Sequence, residues 1–301
     1  MTTIDLTNTD EVRLPRSTSR SEPQHLLSIL LGDYWFRRTE HISSAGIVAL
    51  LGEFGITEGS ARQAVLRLHK RGVLAQSRSG RTTAYGFLPR TNDVTDVRLR
   101  HIMGFGSTPP PWDRQWTVVT LTVPENNRLA RIAIQNELRE LGMAMLQDGV
   151  WISPRDVTAS VNRVLRERTV RTAHVFRAEQ FERGVAESAL TRAFDLTRLR
   201  RSYERFIERH APAAAELSTV DNALVYRTRL MNEWLAFRTI DPELPAELWP
   251  RGWPRPEARR TFQVLYDGLA LDAQQRFRRV LSDTDPDLAD AASVHFARDF
   301  S

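Results

Sequence analysis

The apolar residues first recur at helical spacing in Leu26, Leu27, Leu30 and Leu31. They share one face of a helix that begins near Ser21, with Pro23 in its first turn. Tyr34, Trp35 and Phe36 follow and read as core. A second helix, capped by Ser43 or Ser44, carries Ile47, Val48, Leu50 and Leu51 and stops at 52–55. After a G-I-T turn, residues 57–72 read T-E-G-S-A-R-Q-A-V-L-R-L-H-K-R-G. Thr57 suits an N-cap, because its hydroxyl can accept a free N–H of the first turn. Gly72 suits the left-handed position that closes a helix. At 100° per residue Ala61, Ala64, Val65 and Leu68 fall inward, while Ser60, Gln63, Arg67 and Lys70 fall outward together. Arg62 and Arg71 lie to the sides, and Leu66 at the edge of the outer face. Helix, tight turn, helix is the helix-turn-helix signature.

The period then changes from 3.6 to 2. Residues 73–76 and 82–87 have strand character around a Ser79-Gly80 hairpin signal, with Arg78 and Arg81 flanking the tip. A basic hairpin directly after a helix-turn-helix reads as a wing. Proline-interrupted residues 91–114 read as a linker, although Val97, Leu99 and Ile102 allow a short element there. Beyond it, strand patterns at 116–123, 143–146, 150–152 and 170–176 alternate with helical patterns at 124–141 and 154–166. That order, βαββαβ, predicts a ferredoxin-like unit. From Phe194 the apolar stripes are helical again, broken by D-P-E-L-P and W-P-R-G-W-P. The expected class is α+β: a polar disordered tail at 1–20, a winged helix-turn-helix domain at 21–90, a linker at 91–114, a ferredoxin-like domain at 115–180 and an all-helical domain at 190–301.

Charge sharpens the first of these domains. The chain of 301 residues carries a formal +5. Between 57 and 90 lie Arg62, Arg67, Lys70, Arg71, Arg78, Arg81 and Arg90 against Glu58 alone, so this segment holds +6 and the remainder −1. A basic segment on a nearly neutral body points to a polyanion site. The chain contains no Cys, which removes disulfides, thiolate catalysis and Cys-ligated zinc. The seven His show neither H-x-x-x-H nor H-E-x-x-H spacing, and neither a P-loop nor a Rossmann glycine pattern occurs. No membrane span and no signal peptide are expected, which suggests a cytoplasmic protein without cofactor, metal or catalytic residue. The competing readings are a metal-dependent nuclease built on the ferredoxin-like domain and an RNA-binding scaffold. Against the nuclease, the first strand of that domain has no carboxylate before Glu125.

Several short motifs recur in a specific order. They are Gly32-Asp33-Tyr34, F-G-I-T-E-G-S-A-R-Q-A-V-L-R-L at 54–68, and Gly80-Arg81 before Tyr85. W-D-R-Q-W-T-V-V follows at 112–119, then Val123-Pro124-Glu125, G-V-W-I-S-P at 149–154, D-P-E-L-P and W-P-R-G-W-P. In this order, from about Leu26 onward, the chain resembles the PaaX family of bacterial transcriptional repressors. It departs from the family pattern at Arg114, where glycine is expected, at Met143-Ala144, and at Gly252 and Arg255. The resemblance implies a winged helix, a ferredoxin-like middle domain, and a helical domain that helps form a homodimer. It further implies repression of aromatic-acid catabolic genes, relieved by an aryl-CoA thioester such as phenylacetyl-CoA.

The expected DNA contacts follow from side-chain chemistry. Arg67, Gln63 and Ser60 face base edges in the major groove, Arg matching guanine O6/N7 and Gln matching adenine N6/N7. Lys70 shares that face, with Thr57 at its start. Arg62, Arg71, Arg78, Arg81, Thr82 and Thr83 are candidates for phosphates or the minor groove. The partner is then a pseudo-palindromic duplex operator bound by the homodimer. An acyl-CoA-type effector needs Arg for its phosphates and an apolar pocket for its acyl group, with Trp112, Trp116, Trp151 and Arg155 as candidates.

Overall fold

A computed structural model describes residues 22–88, 99–107, 111–122, 128–168, 170, 172–179 and 186–300. The tail expected at 1–20 lies outside the described residues, as do Arg90, Val97 and the 123–125 motif. The chain is mixed α+β, with two small antiparallel sheets and a helical C-terminal region. It divides into two compact units, both discontinuous in sequence.

The first unit combines residues 1–105 with 210–237 and 260–301. It starts with α1 (Glu22–Tyr34), β1 (Ile42–Ser43), α2 (Ser44–Gly52) and α3 (Glu58–Lys70). The hairpin β2 (Leu74–Ser79) and β3 (Thr82–Phe87) follows, and β1 pairs with β3 to give the order β1-β3-β2. A short helix, α4, covers 99–104 within the expected linker. Met103 and Phe105 are buried there, and Phe105 meets Trp234 edge-on at 5.4 Å. The later elements of this unit are the end of α8 (Leu196–Ala215), α9 (Ala223–Phe237), most of α10 (Arg255–Gly268), α11 (Ala270–Ser282) and α12 (Pro286–Ala289). Helix α1 packs on α3 and α9, and α2 packs on α11. The core is aromatic: Tyr34 stacks on Phe277 at 5.0 Å, and Trp234 on Phe262 at 4.7 Å.

A buried charge joins these distant segments. The Arg227 guanidinium lies 3.6 Å from the Tyr266 ring centroid and is fully buried. It donates to the carbonyls of Tyr266 (2.9 Å) and His295 (2.7 Å) and to the Tyr34 hydroxyl (3.1 Å). It also pairs with Asp33 at 3.4 Å. Buried guanidinium is tolerated only when its donors are filled, and four residues fill them here. This accounts physically for Gly32-Asp33-Tyr34: the acid and the phenol are two of the four.

The second unit holds residues 106–209 and 238–259. Its strands are β4 (Gln115–Leu121), β5 (Ala144–Gln147), β6 (Val150–Ser153) and β7 (Ala173–Glu179). They form one antiparallel sheet in the order β5-β6-β4-β7. Helices α5 (Arg128–Glu140) and α6 (Thr158–Glu167) supply Ile134, Leu138, Val161 and Leu165 to a core with Val119, Met143 and Trp151. Helix α6 starts four residues later than the spacing predicts. The Asp156 carboxylate accepts the Thr158 N–H at 3.1 Å, so 154–157 form its lead-in. Helix α7 (Ala186–Ala193) contacts β5. The two proline-rich motifs lock together. Asp241 accepts from the Tyr203 hydroxyl at 2.5 Å and pairs with buried Arg255 at 3.5 Å, while Trp249 Nε1 donates to the Leu244 carbonyl at 2.8 Å.

Candidate nucleic-acid interface

Helix α3 presents its face because both ends are fixed. The Ser60 N–H reaches Thr57 Oγ1 at 3.4 Å, and the Thr57 hydroxyl donates to Ser60 Oγ at 3.0 Å. At the other end Gly72 takes φ +68°, and the N–H of Val73 returns to the Leu68 carbonyl at 3.0 Å. That pattern satisfies the last-turn carbonyls, as a Schellman closure does. Ala61, Ala64, Val65 and Leu68 are buried. Thr57, Ser60, Arg62, Gln63, Arg67, Lys70 and Arg71 are exposed.

Within that face the side chains are partly pre-arranged. Arg67 Nη2 donates to Gln63 Oε1 at 3.0 Å, an i, i+4 contact that sets both side chains on one line. Gln63 keeps its amide donors, and Arg67 its remaining N–H groups, for other acceptors. Arg62 differs: Glu58 holds its guanidinium at 2.7–2.8 Å, so its charge is compensated locally.

The hairpin is paired residue by residue from Leu74↔Phe87 to Ser79↔Thr82. The two-residue loop is therefore Gly80-Arg81, not Ser79-Gly80. Gly80 has φ +58°, as the first loop residue of a type II′ turn requires. Arg81 thus sits in the tip itself, and Arg78 faces Thr83 across the ladder. Arg78, Arg81 and Thr82 are exposed and Thr83 is half-buried. The base of the hairpin is held by His41, whose Nδ1 lies 2.8 Å from Ser77 Oγ, and by His69, whose Nδ1 lies 3.0 Å from the Leu74 carbonyl.

Beside α3 runs an open groove of about 580 Å³, lined by Pro23, Gln24, Thr57, Gly59, Ser60, Gln63, Ala64 and Arg67. Four of the residues expected to meet DNA share this groove with the first turn of α1. The α1 contribution has no signature in the sequence, because the groove joins residues more than thirty positions apart.

The four effector candidates divide into groups. Trp112 and Trp116 meet edge-on at 5.2 Å, and Trp112 Nε1 donates to the carbonyls of Pro154 (3.1 Å) and Gln115 (3.3 Å). Trp116 is buried, with no hydrogen-bond partner for Nε1 among the described residues. Trp151 lies in the core between sheet and helices, with the Arg139 guanidinium 5.4 Å from its ring. It shares that side with Val119, so strand alternation puts Trp116 on the opposite face. Arg155 is exposed, pairs with Glu243 at 3.9 Å, and passes so close to Gly142 that a Cβ there would sit 2.0 Å from its guanidinium.

Comparison with known proteins covers most of the chain. Residues 22–88 match the family described as PaaX-like protein, 109–190 the PaaX protein central Cas2-like domain, and 194–279 the PaaX-like protein C-terminal domain. The Transcriptional repressor PaaX of Escherichia coli (strain K12) is 27% identical over 255 residues, which is 81% of this chain and 79% of that protein. Uncharacterized protein Rv0674 from Mycobacterium tuberculosis shares the fold, with a TM-score of 0.55 and 19% identity over 84% of this chain and 97% of its own. Three consecutive family matches, in the order in which the sequence motifs occur, show that the chain belongs to the PaaX family.

Proposed function

We propose that this protein is a DNA-binding transcriptional repressor that acts by occupying an operator rather than by catalysis. On this reading α2, α3 and the β2–β3 hairpin form a winged helix-turn-helix. The observation that carries it is the exposed line of Ser60, Gln63, Arg67 and Lys70 on a helix fixed at both ends, followed by a hairpin with arginine at its tip. Gln63 and Arg67 read bases in the major groove; Arg71, Arg78, Arg81, Thr82 and Thr83 contact the backbone or the minor groove. A homodimer spaces two α3 helices about one DNA turn, ~34 Å, or a multiple of it, on a pseudo-palindrome. The name of the Escherichia coli relative supports the repressor assignment.

The second unit supports a ferredoxin-like reading through its strand order. Counted from β4, β5-β6-β4-β7 is 2-3-1-4, with a helix after the first and third strands. We place effector binding in this unit, at an aryl-CoA or related acyl-CoA site near Trp112, Trp116, Trp151 and Arg155. A ligand there releases DNA only by binding one conformer better than the other.

The test is selection of duplexes from a random pool, followed by titration of Arg67→Ala on the selected and on random duplex. Loss of a bidentate base contact is worth roughly 1–3 kcal/mol, so selected-site affinity falls about 5- to 150-fold while random-duplex affinity changes far less. Unchanged selected-site binding would show that α3 is not the reading helix. Phenylacetyl-CoA is then added to the preformed complex, and dissociation at micromolar ligand is the expected result.

A further inference from the structure

Arg255, in the second unit, is as deeply buried as Arg227, with 1% and 0% of the residue exposed, but its donors are not filled. Arg227 gives its N–H groups to two carbonyls and the Tyr34 hydroxyl, besides pairing with Asp33. Arg255 Nε and Nη1 are buried with no hydrogen-bond partner among the described residues. Its counter-charge is Asp241, 3.5 Å from Nη1. The Asp241 oxygens are themselves taken, by the Tyr203 hydroxyl at 2.5 Å and the Glu243 N–H at 2.6 Å. Arg255 is also the first residue of α10, where the helix dipole disfavours a cation. Unfilled donors on a buried charge destabilise the fold, so such groups are normally completed by something bound.

The surroundings hold this guanidinium in place. The Trp249 ring centroid lies 4.8 Å from its carbon, and Trp249 Nε1 is tied to the Leu244 carbonyl at 2.8 Å. The turn before α10 is braced by Arg200, which donates to the carbonyls of Arg251 and Gly252 at 2.7 Å each and lies 5.5 Å from the Trp253 ring. Arg251, Gly252, Pro256 and Glu257 are exposed, and Trp249 and Trp253 are half-buried, so the path from solvent to Arg255 is short. Arg155 contrasts with it: exposed, and paired with Glu243 at 3.9 Å.

We infer that Arg255 binds the oxyanion of a small molecule, a carboxylate or a phosphate, while Asp241 and the Trp249 ring hold the guanidinium from other sides. A planar guanidinium takes such a group through parallel N–H···O bonds, which a lysine ammonium does not reproduce. The inference deepens the effector reading: the charged end of the ligand goes to Arg255 rather than to Arg155. It rests on that reading only for the source of the oxyanion, the free carboxylate of an aromatic acid or a phosphate of coenzyme A.

The test uses the full chain without DNA. Phenylacetate, coenzyme A and inorganic phosphate are titrated separately at constant ionic strength, by calorimetry and by the shift in thermal midpoint. At least one of the three is expected to bind and to raise the midpoint. Arg255→Lys weakens that probe about tenfold, and Arg255→Met at least about 30-fold. Asp241→Asn removes the competing carboxylate and tightens the same probe about threefold to tenfold, a gain that a packing role does not produce. Arg255→Met leaves Asp241 a lone buried charge, so Arg255→Met with Asp241→Asn is measured beside it and is expected to fold without binding the probe. Phenylacetate binding alone assigns the carboxylate source; coenzyme A and phosphate binding together assign the phosphate source. The site is overturned if none of the three binds the wild type, or if the probe binds both Arg255 variants as tightly. Asp241→Asn that weakens binding as much as Arg255→Met makes the pair a structural strut and also overturns it. Duplex release is read separately. If phenylacetyl-CoA leaves the DNA complex intact while a probe requires Arg255, the effector reading falls and the site stands. If it releases duplex from wild type and Arg255 variants alike and no probe requires Arg255, the site falls and the effector reading stands.

Discussion

Arg114 holds a left-handed backbone, φ +61°, between Trp112 and Trp116. A Cβ in that region costs roughly 1–2 kcal/mol, and glycine removes the cost but adds unfolded-chain freedom of roughly 0.5–1 kcal/mol. Arg114→Gly is therefore expected to raise stability by about 0.5–1 kcal/mol, measured by urea unfolding of the whole chain. A lower midpoint would show that the arginine side chain contributes more than its backbone costs. The resemblance described above implies glycine here, and the left-handed conformation supplies a physical reason for it. The acid in Gly32-Asp33-Tyr34 was visible in the same way, as a motif without a partner. Its partners, Arg227 and His295, lie 194 and 262 positions further along the chain and have no periodicity in common with it.

That cluster also makes a pH prediction. Burial pushes the Asp33 carboxyl up from 3.8 to about 6, although Arg227 pulls the other way. Burial and the Arg227 charge push His295 down from 6.5 to about 3. A raised carboxyl stabilises the fold increasingly as pH drops from about 6 to about 4. A depressed imidazole destabilises it as pH drops from about 6.5 towards 3. Each slope is at most about 1.4 kcal/mol per pH unit, and across pH 4–6 they oppose. His295→Gln should therefore gain stability on acidification through that window relative to wild type, and Asp33→Asn should lose it faster. Parallel urea midpoints for all three proteins between pH 4 and 7 would rule this out.

At the level of elements, α3 was the most legible, because one period fixed its buried and exposed faces and two residues fixed its ends. The hairpin was legible in kind, but its tip moved by one residue, since register depends on pairing partners and not on the turn dipeptide alone. Helix α2 shows what a linear pattern omits. Its cap is Ser43, whose Oγ accepts the Gly46 N–H at 2.9 Å. Asp285, from the far end of the chain, then accepts the Ser43 hydroxyl at 2.8 Å and the Ser43 N–H at 3.1 Å. Just past its other end, Glu53 takes two contacts from Arg276, at 2.8 and 2.9 Å, and one from Asn222. Asp285→Ala leaves part-buried donors unfilled and is expected to cost roughly 1–3 kcal/mol. Glu53→Ala and Arg276→Ala should each cost less, with a coupling of about 1 kcal/mol, because the arginine is 40% exposed. A double-mutant cycle by urea unfolding reads the coupling; additive losses would deny the pair a role.

For the molecule as a whole, most elements and their order are readable along the chain, and the packing regroups them. Tyr34 and Trp35 rest on Phe277, and α1 and α2 rest on α9 and α11. Such contacts between segments two hundred residues apart leave no trace in local periodicity. A fragment of residues 21–90 lacks those partners, so Tyr34 and Trp35 would lose the Phe277 ring that covers them. It is expected to show little cooperative unfolding and at least 100-fold weaker duplex binding than the full chain. A folded fragment that binds like the parent would show that α1–α3 and the hairpin do not need the C-terminal helices.

The clasp of Asp285 on Ser43 and of His295 on Arg227 has a consequence in time. During synthesis α1, α2 and α3 leave the ribosome long before the residues that fix them. Until Asp285 and His295 emerge, α2 lacks its outer cap partner and Arg227 lacks one of its acceptors. On the DNA-binding reading, a nascent or prematurely terminated chain is therefore expected to hold duplex more weakly than the finished protein and to compete poorly with it.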